Sequence, residues 1–90
     1  MRSVVYEHAF DEQMRAFQPD FFLYDQFLQG IEWILGREPT YGTFINDSNV
    51  WVLACDGSYG VPNVVIYYTF NANYVYMLGV ESTEPVDSDD

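Results

Sequence analysis

The chain has no lysine, and its 90 residues include only three arginines and one histidine against 14 acidic residues. The formal net charge is −11. A surface that follows nucleic-acid phosphates needs several Lys or Arg side chains to replace counterions. Arg2, Arg15 and Arg37 are too few and too scattered for that task. The sequence therefore predicts no direct binding to nucleic acid, and a basic protein partner is the natural electrostatic complement.

Cysteine and long apolar runs are also scarce. Cys55 is the single cysteine, so no internal disulfide can form and a reducing compartment is expected. The N-terminal residues contain no apolar signal core before the first acid, Glu7. No apolar run approaches the roughly 20 residues of a membrane-spanning helix. These absences predict a cytoplasmic protein that does not enter a membrane.

Large apolar side chains, in contrast, are plentiful. Hydrophobic residues make up 49% of the chain and aromatic residues 19%. A chain of this length buries only about 60–65% of its unfolded surface, so large side chains are needed to hold a core together. The length predicts one domain, over residues 1–81. Residues 82–90 are polar, contain Pro85 and four acids, and are expected to form a disordered acidic tail.

Apolar spacing predicts two helices followed by several strands. Phe10, Met14 and Phe17 recur at helical spacing, and a longer apolar stripe follows Asp20, which is expected to be the N-cap of the second helix. After Pro39 the apolar period changes to about two, as in strands. The predicted elements are a strand at Ser3–Tyr6, helices at Ala9–Phe17 and from Asp20 to about Leu35, and strands at Tyr41–Ile45, Val50–Cys55, Asn63–Phe70 and Tyr74–Val80.

The order β-α-α-β-β-β-β predicts an α+β fold with two helices packed on one face of an antiparallel sheet. Short polar turns join the last four strands, which predicts a meander. Large apolar residues occupy both faces of the last two strands. A sheet with one face exposed to solvent should instead alternate apolar and polar residues along each strand. A second covering surface is therefore expected, either a partner protein or a second copy in a homodimer.

Four tyrosines lie in the last two predicted strands: Tyr67, Tyr68, Tyr74 and Tyr76. Two interpretations stay open, namely cross-strand packing in the core and an exposed binding surface, where Tyr combines contact area with a polar tip. Simple alternation places Tyr67, Thr69 and Met77 on one face and the other three tyrosines on the opposite face. The first set is smaller and suits an open face. Tyr67, Thr69 and Met77 are therefore the predicted partner-binding residues.

Residues capable of chemistry form no convincing constellation. His8 and Glu12 have metal-compatible spacing on a helix, but no third ligand is evident. Cys55 lies among apolar residues without a nearby cation and is expected to be a buried, inert thiol. Adjacent acids such as Asp11 and Glu12 are interpreted as solvated charge. The sequence thus predicts no catalytic residue, no metal site and no cofactor.

Two stretches resemble the RelE/ParE superfamily of toxins from bacterial type II toxin–antitoxin pairs. The first runs from Leu35 to Gly42. It is similar to the family's pattern at the exit of the second helix, which is a leucine, a few residues, a proline, two residues and a glycine. The second covers residues 64–80 and is similar to the family's penultimate strand, polar turn and closing strand. The resemblance, over about residues 3–80, implies the family's fold and an antitoxin-like segment that wraps the chain.

One departure from the family bears directly on activity. The resemblance implies that RNA-cleaving members use Arg and Lys on the sheet, yet this chain has no Arg, Lys or His between Tyr41 and Val80. Nothing there can stabilise the charge of a phosphoryl-transfer transition state. The sequence therefore predicts a toxin-fold protein of a toxin–antitoxin-like pair that acts by protein contacts, not RNA cleavage. The charge leaves an alternative open: an acidic interaction protein, or nucleic-acid mimic, that occupies a basic site on a target protein.

Overall fold

Two helices lie on one face of a five-stranded sheet in the computed structural model, which describes residues 1–83. The predicted β-α-α-β-β-β-β order and α+β class are confirmed. The elements are β1 (Ser3–Tyr6), α1 (His8–Phe17), α2 (Phe21–Arg37), a 3₁₀ turn (Pro39–Tyr41), β2 (Thr43–Phe44), β3 (Trp51–Cys55), β4 (Val64–Phe70) and β5 (Tyr74–Ser82).

The strands lie in the order β1-β5-β4-β3-β2. The four strands from β2 to β5 form the predicted antiparallel meander. β1, however, lies parallel to β5, with Ser3 opposite Tyr74 and Tyr6 opposite Met77. The sheet is therefore mixed rather than wholly antiparallel. The two helices separate β1 from the meander in sequence, and such a crossover is what a parallel neighbour requires.

The last strand, β5, ends at Ser82, one residue beyond the predicted domain of residues 1–81. Ser82, expected in the tail, belongs to β5 and pairs with Val64. The backbone N–H of Thr83 donates to the carbonyl of Asn63 at 2.9 Å. The rest of the predicted tail, residues 84–90, lies outside the described residues.

The junction between the helices is fixed by two polar side chains. The carboxylate of Asp20 accepts hydrogen bonds from the backbone N–H groups of Phe22 and Leu23, at 2.9 and 3.2 Å, so Asp20 is the N-cap that the sequence predicts. The buried Gln18 accepts from the N–H of Asp20 and donates through Nε2 to the carbonyl of Tyr59 at 2.8 Å. Gln18 thereby ties the helix junction to the loop between β3 and β4.

The core fills the space between the helices and the inner face of the sheet. Both helices contribute apolar side chains to it, and β3, β4 and β5 supply the opposing layer. Its largest fully buried side chains are Tyr68, Phe10, Met14, Leu35, Ile66, Met77, Val64 and Val75.

The turn after α2 is held by a buried tyrosine. The Tyr68 hydroxyl donates to the carbonyl of Pro39 at 2.6 Å and accepts from the N–H of Gly42 at 3.0 Å. A Cβ at Gly42 would lie 2.5 Å from the carbonyl oxygen of Val52 and 2.6 Å from the Tyr68 hydroxyl. Pro39 and Gly42, the proline and glycine of the sequence pattern that resembles the toxin family, thus both contact the Tyr68 hydroxyl, and position 42 has no room for a side chain. Because the 3₁₀ turn occupies Pro39–Tyr41, the predicted strand at Tyr41–Ile45 is reduced to β2.

Candidate functional site

The turn between β4 and β5 decides which side chains of β5 face outward. Phe70 pairs with Val75, and Oδ1 of Asn71 accepts from the N–H groups of Asn73 and Tyr74, both at 2.9 Å. Four residues therefore separate the paired positions, whereas strands that end at Phe70 and begin at Tyr74 leave three. A shift of one residue moves each side chain of a strand to the opposite face.

Met77 is the predicted site residue that this shift displaces. Its side chain is fully buried, and it pairs with Tyr68 on the inner face. Its predicted position on an open, partner-binding face is therefore wrong. Tyr67 and Thr69 do lie on the face opposite the helices and are partly exposed. Their role in partner binding stays a prediction.

Three residues of the open face were missed by sequence reasoning. Tyr74 pairs with Ser3, is exposed, and its ring centroid lies 5.9 Å from that of Tyr76. Tyr76 pairs with Thr69 and with Val5, so it belongs to this face and not to the side of Tyr68. Glu81 pairs with Val65 on the same face. Asn71 is the feature of the sequence that could have indicated the face of the β5 tyrosines. An Asn side chain readily accepts hydrogen bonds from the backbone just after it and so extends a turn.

The surface opposite the helices is called the outer face below. Its central residues come from four neighbouring strands and, apart from the exposed Glu81, are half-buried although no helix covers them. They pack side by side across the strands, as opposed pairs in a sheet do. These residues are Val5, Val52, Val65, Tyr67, Thr69, Tyr76 and Glu81.

A tyrosine–carboxylate pair supplies the polar chemistry of the outer face. The Tyr67 hydroxyl donates to Oε1 of Glu81 at 2.8 Å. This hydrogen bond, followed by burial and the negative charge of Glu81, raises the pKa of Tyr67 above its ordinary value. Tyr67 therefore stays protonated at neutral pH and acts as a hydrogen-bond donor, not as a base. Glu81 offers an anionic acceptor to a cationic group of a partner.

The arginines lie away from the outer face. Each guanidinium lies over an aromatic ring: Arg2 over Phe70, Arg15 over Phe21 and Arg37 over Trp33. Arg15 and Arg37 belong to the helices. Arg2 lies at the end of the sheet, where its Nε donates to the carbonyl of Asn71 at 2.6 Å. Within residues 1–83 the outer face thus has no cation that could neutralise a phosphate.

The other candidates for chemistry do not assemble into a site. His8 and Glu12 form an exposed pair, with Nε2 and Oε2 3.2 Å apart. The described part of the chain contains no cluster of three His, Cys, Asp or Glu side chains placed to hold a metal. Cys55 is half-buried, and burial, with the nearby charge of Asp56 second, raises the pKa of its thiol to about 11. An unreactive thiol was predicted there.

No helix within residues 1–83 is long and apolar enough to cross a membrane.

Comparison with solved structures identifies the type of fold, whereas comparison with known sequences finds no match. No protein-family model and no curated protein sequence matches the chain. Among solved structures, the chain matches one from the crystal structure of the intact E. coli RelBE toxin–antitoxin complex with a TM-score of 0.66. The sequence identity is 10%, and the match covers 94% of this chain and 100% of that chain. Such low identity shows the fold alone. The chain therefore has a RelE-like fold, as the resemblance implies.

Proposed function

We propose that the chain is the toxin-fold member of a type II toxin–antitoxin-like pair and that it acts through protein contacts on its outer face, without cleaving RNA. The observation that carries this proposal is the chemistry of that face. Valine and tyrosine side chains surround one carboxylate, and no cation lies among them. Such a surface suits a protein segment with apolar side chains and a basic group, and it repels phosphate.

A cleavage assay tests the catalytic half of the proposal. The purified protein is incubated with programmed ribosomes and with free mRNA, and the transcripts are mapped by primer extension. We expect no cleavage above background, because no positive group stabilises the transition state on the sheet. An RNA-cleaving member of the RelE/ParE superfamily serves as the positive control. Robust cleavage that a Glu81→Gln substitution abolishes would overturn this half of the proposal.

The net charge of −11 favours a second candidate, an acidic interaction protein or nucleic-acid mimic that occupies a basic site on its target. The neighbouring gene separates the two. A small open reading frame that encodes a DNA-binding half and a helical tail, and whose product copurifies with the native chain, supports the toxin-like pair. Competition by DNA or RNA for the same target protein supports the mimic. Sedimentation of the isolated chain tests whether the outer face is instead covered by a second copy in a homodimer.

A further inference from the structure

A groove separates α2 from the end of β3 that β2 does not cover, on the helix side of the molecule. Its volume is about 610 Å³, within the range of ligand-binding clefts. Buried side chains of Phe27, Ile31 and Leu53 line its depth. Three large aromatic side chains also line it although they are 60, 63 and 51% exposed: Trp33, Tyr41 and Tyr59. Aromatic side chains that line a cleft in this way are typical of protein-binding surfaces.

The edge of β3 that borders this groove is only partly paired. β2 contributes two residues, which pair with Trp51 and Val52. The N–H of Ile45 donates to the carbonyl of Val50, so alternate residues of this segment direct their backbone groups toward β2. Ala54 continues that row past the end of β2, is exposed and lines the groove, with no strand of the described chain beside it. An open strand edge of this kind accepts an added strand.

Gly30 gives independent evidence for an occupant. It lies in the interior of α2, between Gln26 and Ile34 on the wall of the groove, at intervals of four residues. A Cβ at Gly30 would meet no atom within 4 Å. Glycine is disfavoured inside a helix relative to alanine, so the fold supplies no reason for it here. Close approach of another backbone to this helix surface does supply one.

Charge indicates the chemistry of that occupant. Asp56 lines the groove, and Glu38 lies in the adjoining cleft, where Arg37 is held over the Trp33 ring. The chain as a whole has a formal net charge of −11, with 14 acidic residues against three arginines. A cationic segment is therefore the complement of this groove.

We propose that the groove between α2 and β3 is a docking site for an extended segment of a partner protein, in which apolar and basic residues alternate. The segment pairs as a strand with β3 at Ala54 and crosses α2 at Gly30. Its apolar side chains enter the aromatic-lined cleft, and its Lys or Arg side chains approach Asp56 and the adjoining Glu38. This site meets the outer face at Ala54, which pairs with Val65, and it does not depend on the function proposed for that face.

The experiment selects a displayed library of 12-residue peptides against the full chain, and then measures one synthetic selected peptide by fluorescence polarisation. We expect enriched sequences that alternate apolar residues with Lys or Arg. Gly30→Leu fills the groove where space is open and should weaken binding at least about 10-fold, a hot-spot effect. Ala54→Pro removes the N–H at an edge where proline is tolerated, and it should have a similar effect. Ala16→Leu, an uncharged change at an exposed position of α1, should stay within about two-fold.

Three outcomes overturn the proposal. The library fails to enrich such sequences, or the selected peptide binds the Gly30→Leu and Ala54→Pro variants as tightly as the parent, or sedimentation shows a dimer of the parent chain that Gly30→Leu dissociates. The last outcome would make a second copy the occupant of the groove. Tyr67→Ala, on the outer face, should leave peptide binding unchanged, so failure at the groove is distinguishable from failure of the proposed function.

Discussion

At the scale of single residues, one tyrosine explains a sequence pattern that resembles a toxin family. Tyr68 is fully buried, and its hydroxyl satisfies both the carbonyl of Pro39 and the N–H of Gly42. Gly42 leaves room for that hydroxyl and for the β3 backbone. The proline, the glycine and the tyrosine therefore act as one unit that fastens the exit of α2 to the sheet.

Tyr68→Phe should lower the free energy of unfolding by about 1–3 kcal/mol, because it leaves the buried carbonyl of Pro39 and the partly buried N–H of Gly42 without their partner. Urea denaturation followed by tryptophan fluorescence measures the loss. The control is Tyr76→Phe, whose hydroxyl accepts only a long, exposed hydrogen bond from Asn71 at 3.4 Å; its effect should stay within about 0.5 kcal/mol. Equal losses in the two variants would contradict the role given to Tyr68.

Tyr67→Ala tests the outer face at its centre. The side chain is half-buried among neighbours on the sheet and hydrogen-bonded to Glu81, but it lies outside the core. Binding of a copurifying partner should weaken by about 1–3 kcal/mol in calorimetry, the effect of truncating an interface tyrosine. The thermal midpoint should change little. A variant that unfolds, yet binds normally per folded molecule, would place Tyr67 in the core and remove it from the interface.

At the scale of elements, the sequence predicts helices better than it predicts strand faces. The helical stripe through Phe10 and Met14 and the cap at Asp20 each depend on residues close together in sequence, and the structure confirms both. The second helix ends at Arg37, two residues beyond its predicted end. Which side chains of β5 face the core depends on the length of the turn between β4 and β5. Apolar residues occupy both faces of that strand, so no polar alternation reveals a slip of one residue, and Met77 was placed on the wrong side.

A bulge in β5 is a second feature that the pattern of apolar residues does not reveal. The pairing passes from Met77 opposite Tyr68 to Gly79 opposite Tyr67, so Leu78 is an additional residue. The register after the bulge returns Val80 to the core. Because bulges respond to packing and twist over the whole sheet, a local pattern of residue types does not predict them.

Gly30→Ala should stabilise the fold by about 0.5–1 kcal/mol, because alanine has the higher helix propensity and the added methyl group enters open space. Chemical denaturation gives the difference. Gly36→Ala on the same helix is the matched control, since a Cβ there would lie 3.2 Å from the Arg2 carbonyl and 3.3 Å from Cγ of Met1. Gly36→Ala should gain nothing or lose stability. A destabilised Gly30→Ala variant would show that this glycine has a structural function within the fold.

At the scale of the whole molecule, charge and apolar surface are separated. The outer face is aromatic and aliphatic with one carboxylate, while acidic residues are spread over the helices, the loops and the C-terminal sequence. A large net charge keeps molecules apart in solution and so permits an apolar surface to remain open until a partner covers it. It also steers a basic partner toward the chain during association.

Deleting residues 84–90 should leave the thermal midpoint nearly unchanged. This segment has low hydrophobicity, a proline and four acids, so its burial would not offset the entropy lost on ordering it.

The deletion of residues 84–90 should nevertheless change the rate at which the chain associates with a basic partner. Removing four of the 14 acidic residues takes the formal net charge from −11 to −7, which weakens the long-range attraction of a basic partner. We expect the association rate to fall at low salt and to converge with that of the full chain near 1 M salt, where screening acts within roughly 3 Å. Stopped-flow measurement over a salt series follows the rate, and scanning calorimetry follows the midpoint. A drop of many degrees in the midpoint would mean that the segment packs on the domain, and its acids would then belong to the fold rather than to the encounter with a partner.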